Sequence, residues 1–234
     1  MGGRGGNFGS SGGAGVTAAQ NKTVNQIVKR TRDLKNEQYR IIDENGDIVL
    51  ERKGIRHEVG GTVGEKREFM EGGIGIHNHP DGGTFSEADL RDFGFGARQI
   101  VVASPEGTYK LTNVKYGQRD AKSGWLDMRN AMDAAGVTKE VSFTEINKKA
   151  QAVPKVKRAQ ETMTKTSTQW VKAREAGKPQ ATLDRLVTRY NKQSDTYKSL
   201  LKEARRQVEV QPYHDFYRKN ASKYGFKYEF TKRY

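Results

Sequence analysis

Hydrophobic residues follow the pattern of β-strands in one part of this chain. Between residues 37 and 115 they form short runs that are either continuous or alternate with polar residues. The runs 37–43 and 47–52 flank Asn45-Gly46, a pair that favours a tight hairpin turn. A second hairpin is predicted by the apolar segments on either side of Pro105-Glu106-Gly107. This region is therefore expected to be a strand-rich α/β unit.

A second part of the chain follows the period of α-helices. Residues 119–208 have apolar positions at helical spacing. Pro154 and Gly177-Lys178-Pro179 divide this region, because proline and glycine interrupt helices. Two further helices are predicted, one before the first part, over residues 17–35, and one inside it, over residues 86–96. The pattern thus indicates an α/β unit followed by a helical extension.

The expected organisation has four parts. Residues 1–16 are rich in glycine and are expected to form a disordered tail, because they contain too little apolar surface to fold. Residues 17–116 form the α/β domain and residues 117–210 the helical extension. Residues 211–234 hold many aromatic side chains, which predicts a short helix and a strand that pack back on a folded domain.

Charge distinguishes the two halves of the chain. The 234 residues carry a net charge of +14. Residues 117–234 contain 26 Lys and Arg against 13 Asp and Glu, so nearly all of the excess lies there. Such a surface attracts nucleic acid or another polyanion through counterion release. Lysine-rich helices are equally often just solvated faces, so this partner remains one of two interpretations.

Some residue types and segments are missing from the sequence. It has no cysteine, which excludes disulfides and thiolate ligands, so a metal site would need His, Asp and Glu. It has no apolar run of the roughly twenty residues that cross a membrane, and its glycine-rich start lacks a hydrophobic signal core. We expect a cytoplasmic protein without membrane contact. The oligomeric state is not indicated.

Two histidines, His77 and His79, and the carboxylate of Asp89 lie within one segment of thirteen residues. His77 and His79 follow an apolar run, and positions i and i+2 of a strand face the same side. Gly82-Gly83 permits a turn, after which a helix beginning at Ser86 would return Asp89 towards the histidines. Two nitrogens and one oxygen leave a fourth position open, as in catalytic zinc sites. Ser-x-x-Asp is also an ordinary helix-capping pattern.

This arrangement resembles the motif of the JAB/MPN (JAMM) metalloproteases, in which His-x-His-Pro is followed by Ser and Asp. The resemblance extends over about residues 35–115 and includes both hairpins. It implies a compact, cytidine-deaminase-like mixed sheet flanked by helices, here followed by the basic helical extension. It also implies a zinc-dependent hydrolase that cleaves a peptide or isopeptide bond in a protein or peptide substrate.

The resemblance assigns a role to each residue of the motif. His77, His79 and Asp89 would be the zinc ligands. Ser86 would stabilise the tetrahedral oxyanion. The general base would be an upstream glutamate, and Glu37 fits best because it begins a strand with alternating apolar residues.

Other candidate side chains are expected to have no catalytic role. Three glutamates near the motif lie in a charged segment and are expected to be solvated: Glu65, Glu68 and Glu71. The two remaining histidines, His57 and His214, are expected to be surface or packing residues.

Two alternatives to the peptidase remain open. The glycine-rich start and aromatic end also resemble JAB-containing proteins encoded by phages, so the peptidase could be encoded by a phage or mobile element. The first alternative is a non-catalytic JAB-like structural or interaction module of a phage or other assembly. Such a protein could be virion-associated or act in the host cytoplasm. The second is a DNA-associated protein like RadC, whose family shares a His-Asn-His-Pro motif. An HNH nuclease is disfavoured, because its histidines would be spread over a ββα unit.

Overall fold

A computed structural model describes residues 15–54, 60–80, 82–118, 123–139 and 141–233. Most of the glycine-rich tail and His57 lie outside the described residues. The chain divides into two compact units. One consists of residues 1–134 together with 217–234 and is called the sheet unit below; the other, residues 135–216, is called the helical unit.

The described elements follow one another in a fixed order. They are α1 (Ala18–Thr31), β1 (Gln38–Ile42), β2 (Ile48–Lys53), α2 (Val63–Phe69), β3 (Ile74–Asn78), α3 (Glu87–Leu90), a 3-10 helix (Arg91–Phe95), β4 (Gln99–Ser104), β5 (Gly107–Asn113), α4 (Gly124–Ala134), α5 (Phe143–Gln151), α6 (Pro154–Glu175), α7 (Gln180–Asn220), a second 3-10 helix (Ala221–Tyr224) and β6 (Phe226–Lys232).

The described strands form one six-stranded sheet in the order β2-β1-β3-β4-β5-β6. Strands β3 and β4 are parallel, and every other neighbouring pair is antiparallel. A parallel pair needs a crossover, and α3 with the 3-10 helix after it provides one. The expected α/β class, with a mixed sheet flanked by helices, is confirmed, and the long helix α7 belongs to the extension.

The core of the sheet unit lies where α1 packs against the centre of the sheet. Val24, Ile27 and Val28 of α1 contact buried isoleucines and valines of β1, β3 and β4. All five residues of β3 are buried, as expected for a strand with neighbours on both sides. The strand that leads to His77 is therefore held firmly on both edges and on one face.

The first hairpin depends on the turn between β1 and β2. The Asp43 carboxylate accepts hydrogen bonds of 2.9 Å from the backbone N–H groups of Asn45 and Asp47. Gly46 has φ of +88°, and a Cβ atom there would lie 2.8 Å from a backbone carbon of Ala19. The predicted Asn-Gly turn is present, and it also brings the hairpin against α1.

The helical unit packs around a small core. Ala150 of α5, Val156 of α6, and Leu201 and Ala204 of α7 are buried together. Ser142 caps α5, its hydroxyl accepting a hydrogen bond from a backbone N–H of the first turn. Most other side chains of this unit are exposed or half-buried.

The structure corrects three predicted elements. Residues 86–96 form only a four-residue α-helix, which continues as a 3-10 helix. The charged segment before the histidines, for which no helix or strand was predicted, contains α2, which Thr62 and Glu65 begin with a capping box. No separate short helix forms near residue 213, because α7 continues through Pro212 to Asn220.

The C-terminal strand belongs to the sheet unit. Strand β6 pairs antiparallel with β5 along its whole length, from Gly107 opposite Lys232 to Asn113 opposite Phe226. Phe226 is buried there against Phe93, with ring centroids 4.6 Å apart. No helix among the described residues is both long and apolar enough to cross a membrane.

Candidate metal centre

Strands β1 and β3 bring Glu37 and His77 together. Residue 37 directly precedes β1, and Tyr39 of β1 pairs with His77 at the end of β3. The Glu37 Oε2 atom lies 3.2 Å from His77 Nε2, and both residues are buried. Antiparallel pairing of neighbouring strands therefore joins two residues that are 40 positions apart in the sequence.

His79 lies next to His77 where the chain leaves β3. Its backbone N–H donates to the carbonyl oxygen of Ala103 at 2.9 Å, which extends the pairing with β4 by one residue. The two imidazole rings are nearly perpendicular, with centroids 4.8 Å apart. The spacing of i and i+2 places both rings on the same side of the strand.

Three side chains are grouped closely enough to share a metal ion. Each of the side chains has one possible ligand atom that lies within 4.8 Å of those of the other two; they are Glu37, His77 and His79. Imidazole nitrogens and carboxylate oxygens are ligands of divalent metals such as zinc. This buried group could therefore hold a metal ion.

Asp89 reaches the histidine pair from α3. Its Oδ1 atom is 2.8 Å from His77 Nδ1, and its Oδ2 atom is 3.6 Å from His79 Nε2. Asp89 is 4% exposed and lies near both rings although it is outside the group of three. His77 therefore lies between two carboxylates, with Asp89 at Nδ1 and Glu37 at Nε2.

Ser86 contacts Asp89 rather than a histidine. Its hydroxyl donates to Asp89 Oδ2 at 2.7 Å, and its backbone N–H donates to the same oxygen at 2.7 Å. In return, the backbone N–H of Asp89 donates to the Ser86 hydroxyl oxygen at 3.2 Å. This is a complete capping box, so the capping interpretation of Ser-x-x-Asp is confirmed.

The electrostatics of the cluster favour one extra positive charge. Burial alone would lower the pKa of His77, but the adjacent Asp89 and Glu37 carboxylates raise it to about 10. Burial opposes ionisation of Asp89 as well, yet the charge of His77 holds the pKa of Asp89 well below its usual range. Burial also lowers the pKa of His79. The negative charges of the Asp89 and Glu37 carboxylates can thus be balanced either by a proton on His77 or by a metal cation that replaces this proton.

A second buried cluster adjoins the first, and the sequence did not predict it. The Tyr39 hydroxyl donates to Asp92 Oδ2 at 2.8 Å, and Lys66 Nζ lies 2.5 Å from Asp92 Oδ1. The Tyr39 ring contacts His77 edge-on, with centroids 6.0 Å apart. Burial raises the pKa of Asp92 to about 6, and the ion pair with Lys66 limits the rise.

Two signals in the sequence were available for this second cluster. Tyr39 is two residues after Glu37, so both lie on the same face of one strand. Asp92 is three residues after Asp89, hence one turn further along the same helical segment. Gly75 has no side chain and so leaves room for the Asp92 carboxylate, because a Cβ atom at residue 75 would lie 2.7 Å from Asp92 Oδ2.

The remaining candidate residues lie apart from the metal-binding group. Glu68 and Glu71 are exposed, while Glu65 caps α2 and forms an ion pair with Arg52. His214 is 9% exposed on α7 in the helical unit, which identifies it as a packing residue rather than a surface one.

Comparison with known proteins gives no relative for this arrangement. No protein-family model matches the chain, and no curated protein or solved structure matches it. Interpretation of the site therefore depends on its own chemistry.

Proposed function

We propose that this chain is a zinc-dependent hydrolase of peptide or isopeptide bonds, of the class that the JAB/MPN resemblance implies. One observation carries the proposal: separate segments of the chain bring two imidazoles and two carboxylates into a single buried cluster. These residues are Glu37, His77, His79 and Asp89. Burying ionisable groups costs desolvation energy even when they are paired, so their concentration at one strand end favours a functional site over a packing role.

His77, His79 and Asp89 would hold the zinc ion. Their donor atoms suit zinc, and Asp89 lies within 3.6 Å of a nitrogen of each histidine. Glu37 is the competing ligand, because it belongs to the closest group of three. We assign Glu37 to proton transfer instead, since three protein ligands leave one position for substrate and a fourth would close the site. When bound, zinc supplies a Lewis acid that polarises the scissile carbonyl.

Glu37 would move a proton beside the metal ligands. Its carboxylate is 3.2 Å from His77 Nε2 and is largely shielded from solvent. In the proposed reaction it takes the proton of the attacking water and then delivers that proton to the leaving amine. His77 contacts Glu37 through Nε2 and Asp89 through Nδ1, so both of its ring nitrogens face carboxylates.

The proposed role of Ser86 requires a change in its hydrogen bonding. Its hydroxyl donates to Asp89 Oδ2, so it would have to change its acceptor in order to stabilise an oxyanion. The backbone N–H of Ser86 donates to the same Asp89 oxygen and would keep α3 capped during that change. We therefore propose the role of oxyanion donor for the Ser86 hydroxyl alone.

Zinc content tests the proposal first. Purified wild-type protein, reconstituted and desalted, is expected to contain one zinc per chain by elemental analysis, and His79→Ala is expected to contain almost none. Glu68→Gln, which changes an exposed glutamate near the motif, is the matched control and should retain zinc. A wild type that binds no zinc would overturn the proposal.

Substrate cleavage separates the peptidase from a non-catalytic module. Zinc-loaded protein would be incubated with a library of linear peptides and with lysine-isopeptide-linked peptides, followed by mass spectrometry. Cleavage that His79→Ala abolishes supports the hydrolase. Stable zinc binding without cleavage of either library would favour the structural JAB-like module instead.

A further inference from the structure

The helical unit contains an open groove between its two long helices. The groove has a volume of about 450 Å³. Arg158 and Thr162 line it from α6, and Arg189, Lys192 and Thr196 line it from α7. Both helices contribute cations, so positive charge faces the groove from two sides.

Among the residues that the structure describes, no acidic side chain forms an ion pair with the cations of the groove. Arg158, Arg189 and Lys192 form no ion pair with any residue that the structure describes, and no acidic side chain of the described residues lines the groove. Other basic residues of the same unit are paired, such as Lys155 with Glu203 at 2.7 Å. Three uncompensated charges on one groove therefore form an attractive field for an anion.

The hydroxyl groups of the groove are already occupied. Thr162 donates to the carbonyl oxygen of Arg158 at 2.8 Å, and Thr196 donates to that of Lys192 at 3.0 Å. These bonds lie within each helix, a common arrangement for threonine. Recognition by the groove would therefore depend on the cationic side chains.

The side chains that line the groove limit the class of partner that it can bind. A protein partner usually needs a large apolar or aromatic anchor, and a membrane needs an apolar face. Among the described lining residues there is no aromatic one, and the only aliphatic side chain is that of Ala159. Single strands are usually held by stacking of bases on aromatic rings, which this groove does not offer. A duplex presents only its charged backbone and needs no such ring.

We propose that this groove binds the phosphate backbone of duplex nucleic acid without reading its sequence. Arg189 and Lys192 are three residues apart, hence about 4.5 Å along the helix axis, and Arg185 continues the row one turn earlier. Such a row can contact successive phosphates, with Arg158 facing it from α6. The proposal does not rest on the metal site.

The test compares two triple variants of the full chain. Arg158→Gln, Arg189→Gln and Lys192→Gln together remove the cations of the groove. Lys157→Gln, Lys198→Gln and Lys202→Gln remove the same charge from exposed positions of α6 and α7 that do not line it. Fluorescence anisotropy with a short random-sequence DNA duplex measures affinity between about 50 and 200 mM salt.

The groove variant is expected to lose at least about tenfold in affinity, and its log–log salt slope should fall by about 2 to 3 because up to three phosphate contacts are lost. The control triple should change affinity by less than about threefold. Equal losses in both triples would overturn the proposal, since they would indicate only diffuse attraction to the positive surface. Absence of wild-type binding at low salt would also overturn it.

Competing polyanions complete the test. Oligo(dT), polyglutamate and vesicles containing phosphatidylserine would each compete with the labelled duplex. Weaker competition by all three than by unlabelled duplex supports the proposal, and stronger competition by any of them overturns it. Zinc-free His79→Ala should bind the duplex as the wild type does, which keeps this result separate from the outcome of the zinc experiment.

Discussion

The two units of this protein use charged residues in opposite ways. In the sheet unit, carboxylates and cations are buried and make specific contacts, as Asp89 does with His77 and Asp92 with Lys66. In the helical unit most charged side chains are exposed, and those of the groove face no counter-charge among the described residues. Buried groups can change protonation and bind a metal, while exposed groups provide a field that salt screens.

From this comparison we expect single substitutions to have different effects in the two units. Substitutions in the sheet unit should alter chemistry or stability sharply, because they leave a buried partner without its contact. Exposed charges in the helical unit should act together and weakly one by one. Four predictions test the sharp effects expected in the sheet unit, two of them with an exposed residue of the helical unit as the control, beginning with the largest effect.

Glu37→Gln should reduce peptide or isopeptide cleavage about 10³-fold while zinc content stays at one per chain, since an amide cannot accept the proton. Activity and elemental analysis would be measured on the same preparation, with Glu68→Gln as the exposed control. Loss of zinc together with activity would instead identify Glu37 as a metal ligand, in agreement with the group that it forms with His77 and His79.

Phe85→Ala should destabilise the sheet unit by about 3 kcal/mol. Phe85 is 3% exposed and makes edge-on contacts with three tyrosine rings, those of Tyr109, Tyr217 and Tyr228. Urea unfolding would be followed by Trp125 fluorescence in a Trp170→Phe background, so that the signal comes from the sheet unit. Tyr190→Ala, at an exposed position of α7, should change stability by less than about 0.5 kcal/mol.

Tyr39→Phe should weaken zinc binding by about 10-fold, the lower end for residues that support a metal ligand, because Tyr39 contacts the proposed ligand His77 only through its ring. The variant keeps the ring beside His77 but leaves Asp92 Oδ2 without its hydroxyl donor. The visible spectrum of the cobalt-substituted protein would show a change in ligand geometry. Tyr190→Phe is the control, and an unchanged affinity and spectrum in Tyr39→Phe would restrict the second cluster to a structural role.

Zinc affinity should rise about tenfold for each pH unit between pH 6.5 and 8.5. His77 has a pKa raised to about 10 and is therefore protonated over this range, whereas a metal ligand must be neutral. Binding then releases one proton, which higher pH favours. His79 adds no second proton because its pKa is lowered. Competition with a chelator at several pH values measures the slope, and a slope near zero would contradict this account.

Local patterns in the sequence predicted much of the sheet unit. The Asn45-Gly46 turn, the hairpin of β4 and β5, and the strand leading to His77 depend on neighbouring residues, which sequence patterns represent directly. Helix α2 could have been found as well, because Thr62 and Glu65 have the spacing of a capping box. Its seven residues include none that is buried, so no apolar period marked it.

Features that depend on distant residues were harder to predict. The sequence suggested which residues form the candidate site. The spacings of Tyr39 and Asp92 placed each of them near that site but could not show that Asp92 would bind both Tyr39 and Lys66, since that contact needs three separate elements. A separate short helix was predicted within residues 211–234, yet α7 continues through Pro212 to Asn220. Proline disfavours the interior of a helix but does not exclude it. A long helix with many other backbone hydrogen bonds can tolerate the loss of the one bond that proline cannot donate.

The position of β6 has a consequence for synthesis of the chain on the ribosome. About 110 residues separate the end of β5 from the start of β6, although the two strands are direct neighbours in the sheet. At translation rates of about 5–20 residues per second, the β5 edge therefore waits roughly 6 to 20 seconds for its partner. An open strand edge can pair with other chains. Nascent protein is thus most exposed to aggregation while the helical unit is being made.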